Sequence, residues 1–381
     1  MNNYTRVVDK ETSVKALGII QEPTPGKTGV FDFIYSDQYS ILDWGKMPMP
    51  AGKEMDNRPV ALTGAFNHEL LRAQGIPVCY LGTVGSDGAT HDMTWFREHR
   101  EVSRTLRMRM VNIIKPTFNL QKGKWDYSVF QNPPANNYVH PIEFIWRKEA
   151  GPDSSFWKNV AKGAYKLSDF GLPETLKTGA PFPEPVLDHS SKYEDHDRYF
   201  SPKTARQLVA IPTERWAGLC RTREEINKIL FLHARDIGIY RPDAKQEFLS
   251  ITEPDGTIVD MLADVAGTWH EDRFEYTTRE EKIVKVSKQT PRDLNKLLNP
   301  EWAKQCEEAK ARAEREGHPN WKAFVTEMPL SLEPLFFDQY NNLMRAATNE
   351  WVGWNAFPEA SGLEEACREF DLYLTDYKKR L

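Results

Sequence analysis

Cysteine is scarce in this chain, and the four that are present show no pairing pattern. Cys79, Cys220, Cys306 and Cys367 lie far apart with no Cys-x-x-Cys among them. That spacing argues against a zinc knuckle or a disulfide scaffold and predicts four structural thiols. Apolar runs long enough to cross a bilayer are also missing. The opening Met1-Asn2-Asn3-Tyr4-Thr5 has neither the basic start nor the apolar core of a secretory signal, so a cytoplasmic protein without membrane contact is expected. A strong excess of charge is absent: the formal net charge of -5 argues against nonspecific nucleic-acid binding as the main role. None of the nine histidines forms a His-Glu-x-x-His pair, so no catalytic zinc is expected.

What remains is an ordinary globular composition. The chain has 381 residues, 40% hydrophobic and 28% charged, enough for one large core or two lobes that meet at a cleft. From about Gly18 to Trp146, turn signals separate expected strands at Val30 to Tyr35, Tyr39 to Leu42, Val78 to Leu81, Arg107 to Ile114 and Ile142 to Trp146. One helix interrupts them, Val60 to Gln74, stopped by Gly75-Ile76-Pro77. The basic run Arg97 to Arg109 suits a solvated helix or strand face. Ser154 to Phe200 is rich in Pro, Gly and Ser and is expected to be irregular. A helical tract through Ile237 with a break near Ala217 follows, then a hairpin, then a mostly helical end. The expected fold class is α+β with two lobes: residues 1–146, a small antiparallel β lobe, and residues 147–381, a larger α+β lobe with a helical end that packs back on it.

The hairpin concentrates the chemistry. In Asp243-Ala-Lys-Gln-Glu-Phe, strand alternation puts Lys245 and Glu247 on one face, and the return strand carries Asp264. Two carboxylates and an ammonium on one surface are costly to assemble unless a cation and a polyphosphate sit among them. A magnesium-ATP site follows, with Glu247 and Asp264 as hard-cation ligands; a plain cross-strand ion pair is the rival reading of Lys245 and Glu247. Gly26-Lys27-Thr28 imitates the end of a P-loop but has Gln21 where that motif needs glycine. His233-Ala234-Arg235-Asp236 is likewise a chance echo of a kinase catalytic loop.

Taken in order, the motifs resemble those of the SAICAR synthetase (phosphoribosylaminoimidazole-succinocarboxamide synthase) family over almost the whole chain. Gly26-Lys27 and Phe31-Asp32 are similar to its Gly-Lys strand, and Ser36 to Asp43 to its Ser-Asp-x-x-Ser-x-Phe-Asp. Phe66 to Leu70 and Gly75 to Pro77 match the next helix and strand. Pro141 to Arg147 resembles its Pro-hydrophobic-Glu-x-hydrophobic-x-Arg strand, and Ser190-Ser191-Lys192 with His196-Asp197 its Ser/Thr-Thr-Lys loop and His-Asp pair. Asp243 to Phe248 and Asp264 to Phe274 complete the set.

The resemblance implies an ATP-dependent, Mg²⁺-requiring ligase of purine biosynthesis that condenses a carboxylated aminoimidazole ribotide with L-aspartate, giving SAICAR, ADP and phosphate. It implies catalytic Glu247, Asp264 and Lys245, and ATP contacts at Lys27, Glu143, Lys192 and Lys245. Substrate contacts are implied at Arg147, Ser154, Ser155, His196, Asp197 and Arg273, with small molecules as the partners and homo-oligomers common. The acceptor half departs from the pattern: Ala150-Gly151-Pro152-Asp153-Ser154 carries an insertion, and Asp264-Val265 replaces an acidic pair. Residues 83 to 138 form a long insertion rich in Trp, Arg and Asn. A paralogous ligase for another acid or amine, or a nucleotide-binding protein without turnover, are the alternatives.

Overall fold

A computed structural model describes residues 10–11, 14–152, 154–194, 197–318 and 320–381. The first sheet contains β1 (Lys10–Glu11), β2 (Lys15–Gln21), β3 (Gly29–Tyr35), β4 (Tyr80–Val84), β5 (Thr90–His91) and β6 (Thr105–Met110), in the antiparallel order β1-β2-β3-β6-β4-β5. A separate ribbon pairs β7 (Thr117–Asn119) with β8 (Lys124–Asp126). The second sheet contains β9 (Tyr138–Val139), β10 (Ile142–Arg147), β11 (Val186–Ser191), β12 (Tyr199–Phe200), β13 (Ile239–Thr252), β14 (Ile258–Ala263), β15 (Arg273–Thr277) and β16 (Ile283–Lys285). Its main path runs β12-β11-β10-β13-β15-β16, with β14 and β9 flanking the far half of β13. The helices are α1 (Arg58–Ala73), α2 (Met93–His99), α3 (Ser155–Ala161), α4 (Pro202–Val209), α5 (Thr213–Asp236), α6 (Gln289–Leu298), α7 (Pro300–Glu316), α8 (Pro334–Val352) and α9 (Leu363–Arg380).

β13 organises this architecture because it changes partners midway. Asp243 to Gln246 pair with β10, and Glu247 to Thr252 pair with β14. β15 covers the start of the strand only as far as Asp243, across a register shift after Tyr240. Pro242 sits in that irregularity, where a missing N–H costs no ladder bond, and its carbonyl accepts the Lys148 amide at 2.8 Å. Between the end of the β15 pairing and the start of the β14 pairing, the side of β13 at Lys245 lacks a strand neighbour. The Asp272 carboxylate fills part of that gap, accepting the Lys245 amide at 3.0 Å.

α1 shows why the chain around Asp264 is rigid. The helix is buried nearly all round, so it lies in the core rather than on it. Asn67 donates to the carbonyls of Ala266 and Gly267 at 2.8 and 2.9 Å. His68 Nε2 meets the Asp264 carbonyl at 2.9 Å. Gly267 has φ +68°, and a Cβ there would sit 2.8 Å from Asn67 and 2.9 Å from Leu230, so only glycine fits. Trp351 on α8 closes the group by donating to Asn67 at 2.7 Å.

Several expectations change. Ile142 to Trp146 does not belong to the first sheet: β10 lies between β11 and β13, so the sheets divide before β9 rather than after Trp146. Tyr39 to Leu42 is not a strand, since Leu42 and Asp43 take φ of +54° and +60° and turn the chain toward the cleft. The tract from 154 to 200 holds α3 and the buried strand β11, and its Ser154 caps α3 by accepting the Trp157 amide at 3.5 Å. The helical break falls at Ala210, with φ +55°, and Pro212, not at Ala217. Within the supposed insertion, β6 is the strand between β3 and β4, so that segment is partly framework.

Arg241 and Asp272 form an ion pair with both side chains fully buried, Nε donating to Oδ2 at 2.7 Å. Breaking one half of such a pair leaves a stranded charge. Arg241→Met should therefore cost about 3–5 kcal/mol in urea unfolding; a loss of less than about 1 kcal/mol would show that the pair carries little.

Candidate functional site

A ladder of alternating charge runs across the mouth of the split in β13. Lys192, just after β11, is hydrogen-bonded to Glu247. Lys245 Nζ lies 2.8 Å from Glu143, 3.4 Å from Glu271 and 3.9 Å from Glu247. Lys15, on β2 of the first sheet, donates to Asp264 at 2.6 Å. Asp264 directly follows Ala263, the residue paired with Glu247, and its φ of +53° ends the strand there. Glu247, Asp264 and Lys245 are thus gathered at one place.

The electrostatics are those of a filled ladder. Burial works against the Lys245 ammonium, but Glu143, Glu271 and Glu247 outweigh it and hold its pKa well above the ordinary lysine value. Lys15 is raised in the same way against its burial by Asp264, with Tyr35 and Glu271 contributing. Glu271, despite burial, is held far below the usual carboxylate range by Lys245, Lys288 and Lys15. Glu143 also accepts from the Ser190 hydroxyl at 2.8 Å, which fixes its orientation.

Beside the ladder opens a polar cleft of about 390 Å³, lined in part by Glu143, Arg147, Ser155, Asp197, Lys245, Glu271, Arg273, Lys288 and Arg292. Arg147 is held by Asp188 at 3.0 Å and donates to Ser155 Oγ at 3.1 Å. Ser155 therefore faces the cleft, whereas the neighbouring Ser154 serves as the α3 cap. Arg273 is tied to Asp243 and donates to Gln289 at 3.2 Å. Asp197 lines the cleft, and burial with Glu143 and Asp43 nearby raises its pKa. Asp43 is held low, against its burial, by Lys310 of α7, 2.6 Å away.

Lys27 stands apart from this group. It is exposed in the tight turn between β2 and β3, bridged to Thr24 and absent from the cleft lining. The lysine that β2 does bring to the ladder is Lys15, which no sequence motif marked. His196 lies outside the described residues. Sequence reasoning also missed Glu271, Lys288 and Arg292. The signal available was Lys288-Gln289-x-x-Arg292, which helical spacing places at the start of α6 on one side.

Lys288 and Arg292 make the cleft an anion receptor. Burial, with Arg292 beside it, pulls the Lys288 pKa down to about 8, and burial with Arg273 nearby lowers Arg292. Arg292 Nε is buried without a hydrogen-bond partner among the described residues. Three cations crowded at one end, Arg273, Lys288 and Arg292, repel one another until an anion joins them.

The carboxylates offer hard oxygen donors. Glu247, midway along β13, and Asp264, just past the end of the adjacent β14, are the number and type of protein ligand that Mg²⁺ takes when phosphate oxygens and water complete its shell. Among the described residues no cluster of three or more His, Cys, Asp or Glu forms a metal cage independent of a ligand. The donor set fits a cation that arrives with a polyphosphate.

Sulfate binding tests the receptor end. Lys288 is protonated below about pH 8 and neutral above, so sulfate affinity measured by calorimetry should fall as pH rises through about 8. Lys288→Met should flatten that dependence. Constant wild-type affinity between roughly pH 7 and 9 would contradict the assignment.

The chain is similar to known proteins. The SAICAR synthetase family profile matches residues 136–309. A protein of Archaeoglobus fulgidus, provisionally named a phosphoribosylaminoimidazole-succinocarboxamide synthase, is 29% identical over 353 residues, 93% of this chain and 96% of that protein. The phosphoribosylaminoimidazole-succinocarboxamide synthase of Thermoplasma acidophilum is 28% identical over 202 residues, 52% of this chain and 65% of its own. Among solved structures, the fold is similar to SAICAR synthase from Saccharomyces cerevisiae complexed with SAICAR, with a TM-score of 0.56 and 16% identity, covering 93% of this chain and 97% of that one. The segment that holds the split of β13 and most of the charged cleft is thus similar to the SAICAR synthetase family, and the two-sheet α+β fold is similar to that of SAICAR synthase from Saccharomyces cerevisiae.

Proposed function

We infer that this chain is an ATP-dependent carbon–nitrogen ligase that joins carboxyaminoimidazole ribotide to L-aspartate, giving SAICAR, ADP and phosphate in purine biosynthesis. The observation that carries this reading is the juxtaposition of the ladder, suited to a metal-bound triphosphate, with a cation-lined cleft suited to an anionic acceptor. No helix among the described residues is long and apolar enough to cross a membrane.

A carboxylate resists attack by an amine until its oxygen is made a leaving group. Transfer of the γ-phosphoryl group of ATP to the ribotide carboxylate gives an acyl phosphate and ADP. The amine of aspartate then attacks the acyl carbon, the C–O bond to phosphate breaks, and a proton leaves the nitrogen. Lys15, Lys192 and Lys245 supply positive charge to the phosphates. A Mg²⁺ ion held by Glu247 and Asp264 would neutralise the transferring phosphoryl group. Arg147 with Ser155, and Arg273 with Lys288 and Arg292, offer forks and point charges for the ribotide phosphate and the carboxylates. Asp197 faces the same space and is suited to order the imidazole amine. His196, its neighbour in sequence, belongs to this proposal as a substrate contact.

Replacing single groups separates these roles. Glu247→Gln should abolish ATP turnover, with the unfolding midpoint little changed. Lys15→Ala should lower kcat/KM for ATP by about 100-fold or more, the scale of one electrostatic donor, while Lys27→Ala stays within about twofold of wild type. Comparable losses at both lysines would contradict the placement of nucleotide at Lys15.

A further inference from the structure

One side chain of the cleft lining belongs neither to the ladder nor to the anion receptor. His270 is partly buried and lines the cleft, and neither of its ring nitrogens has a hydrogen-bond partner among the described residues. It stands on a tight turn, in which the amides of Glu271 and Asp272 both donate to the Thr268 carbonyl at 3.1 Å. The turn is anchored on each side of the ring. Before it, Trp269 is fully buried, donates its indole N–H to Thr348 at 2.8 Å and accepts the Lys288 amide at its carbonyl at 2.9 Å. After it comes Asp272, buried against Arg241. The backbone, not a side-chain partner, therefore fixes where the imidazole lies.

The surrounding charges keep that ring neutral. Burial pushes its pKa down to about 4, with Glu271 opposing and Lys288, Lys15 and Arg292 adding to the fall. A free proton acceptor thus stands among cations. Four of the acids that line the cleft are already engaged: Glu143 by Lys245 at 2.8 Å, Glu271 by Lys245 at 3.4 Å, Asp43 by Lys310 at 2.6 Å, and Asp243 by Arg273. The remaining acid, Asp197, is raised to about 7 by burial and by its neighbours Glu143 and Asp43. An amine placed beside those carboxylates is held as its ammonium form, which is no nucleophile. Beside His270 the reverse applies, because Lys288, Lys15 and Arg292 disfavour a further cation and so favour the neutral amine.

We propose that His270 is the general base that takes the proton from the attacking amine of L-aspartate, whose carboxylates Lys288 and Arg292 hold. This inference rests on the functional reading above. In the step, the nitrogen lone pair forms the C–N bond at the acyl carbon, and the C–O bond breaks with its electron pair leaving on phosphate. The proton lost from nitrogen passes to a ring nitrogen of His270. The arriving carboxylates and acyl phosphate offset the cations that depress the ring, so its basicity rises when the proton is due.

The test compares aspartate with hydroxylamine as the amine, each with the full chain, ATP, Mg²⁺ and carboxyaminoimidazole ribotide. Hydroxylamine is uncharged at neutral pH and attacks an acyl phosphate without a base, giving a hydroxamate. His270→Gln should lower succinocarboxamide formation at saturating aspartate by about 10²–10⁴-fold, the range of one general base, and leave hydroxamate formation within about twofold of wild type. The hydroxamate arm also shows that the variant is folded and still makes the acyl phosphate. Equal losses with both amines would overturn the assignment, as would an aspartate rate within about threefold of wild type. An amine-selective loss in Asp197→Asn but not in His270→Gln would overturn it in favour of Asp197. Wild-type protein that forms neither product would overturn the functional reading, and this inference with it.

Discussion

The partner change along β13 is the constraint on which the rest depends. A continuous sheet would cover both flanks of Lys245 and Glu247 with neighbouring strands. Here one flank is released between Asp243 and Glu247, and the buried pair Arg241 and Asp272 takes over the missing hydrogen bonding. That substitution lets charged side chains gather at the break without an unsatisfied backbone. The first sheet then reaches across through Lys15, so one ion pair, Lys15 with Asp264, joins the two sheets at the point where the chemistry is proposed to occur.

Each lysine of the ladder has a counter-charge drawn from another part of the chain. Lys192, Lys245 and Lys15 meet acids from β10, β13 and the segment after β14. Exchange of these internal partners for a metal-bound triphosphate keeps the site neutralised both with and without ligand, which avoids the cost of a naked buried charge. The receptor end is arranged differently. Arg273, Lys288 and Arg292 are held close with too little acid between them, so their mutual repulsion is relieved by an incoming anion.

Local pattern in the sequence was enough to locate the hairpin, its two carboxylates and its lysine, because strand alternation is a short-range property. Arg147 and Ser155 were legible only through the family resemblance, which named Ser154 beside Ser155 and could not say that Ser154 caps α3 while Ser155 faces Arg147. Lys15 was not, since nothing near it in sequence says that β2 will lie beside Asp264, 249 residues away. Lys27, next to a glycine, offered the stronger local motif and the wrong environment. Lys288 and Arg292 were hidden by an unremarkable charged helix start, and the turn at Leu42 and Asp43 by a pair of left-handed residues that only the tertiary structure requires. The boundary between the sheets was misplaced because β10 reads as one more strand of a β-rich run. Its neighbours, β11 and β13, come roughly 40 and 100 residues later.

The most direct measurement is phosphate release from ATP by the purified protein with Mg²⁺, carboxyaminoimidazole ribotide and L-aspartate, each omitted in turn, with the organic product followed by mass. Release that needs every component and yields the succinocarboxamide is the predicted result. Release that proceeds without aspartate or without the ribotide, or ATP binding with no turnover in the complete mixture, would contradict the assignment of this cleft to amide-bond formation.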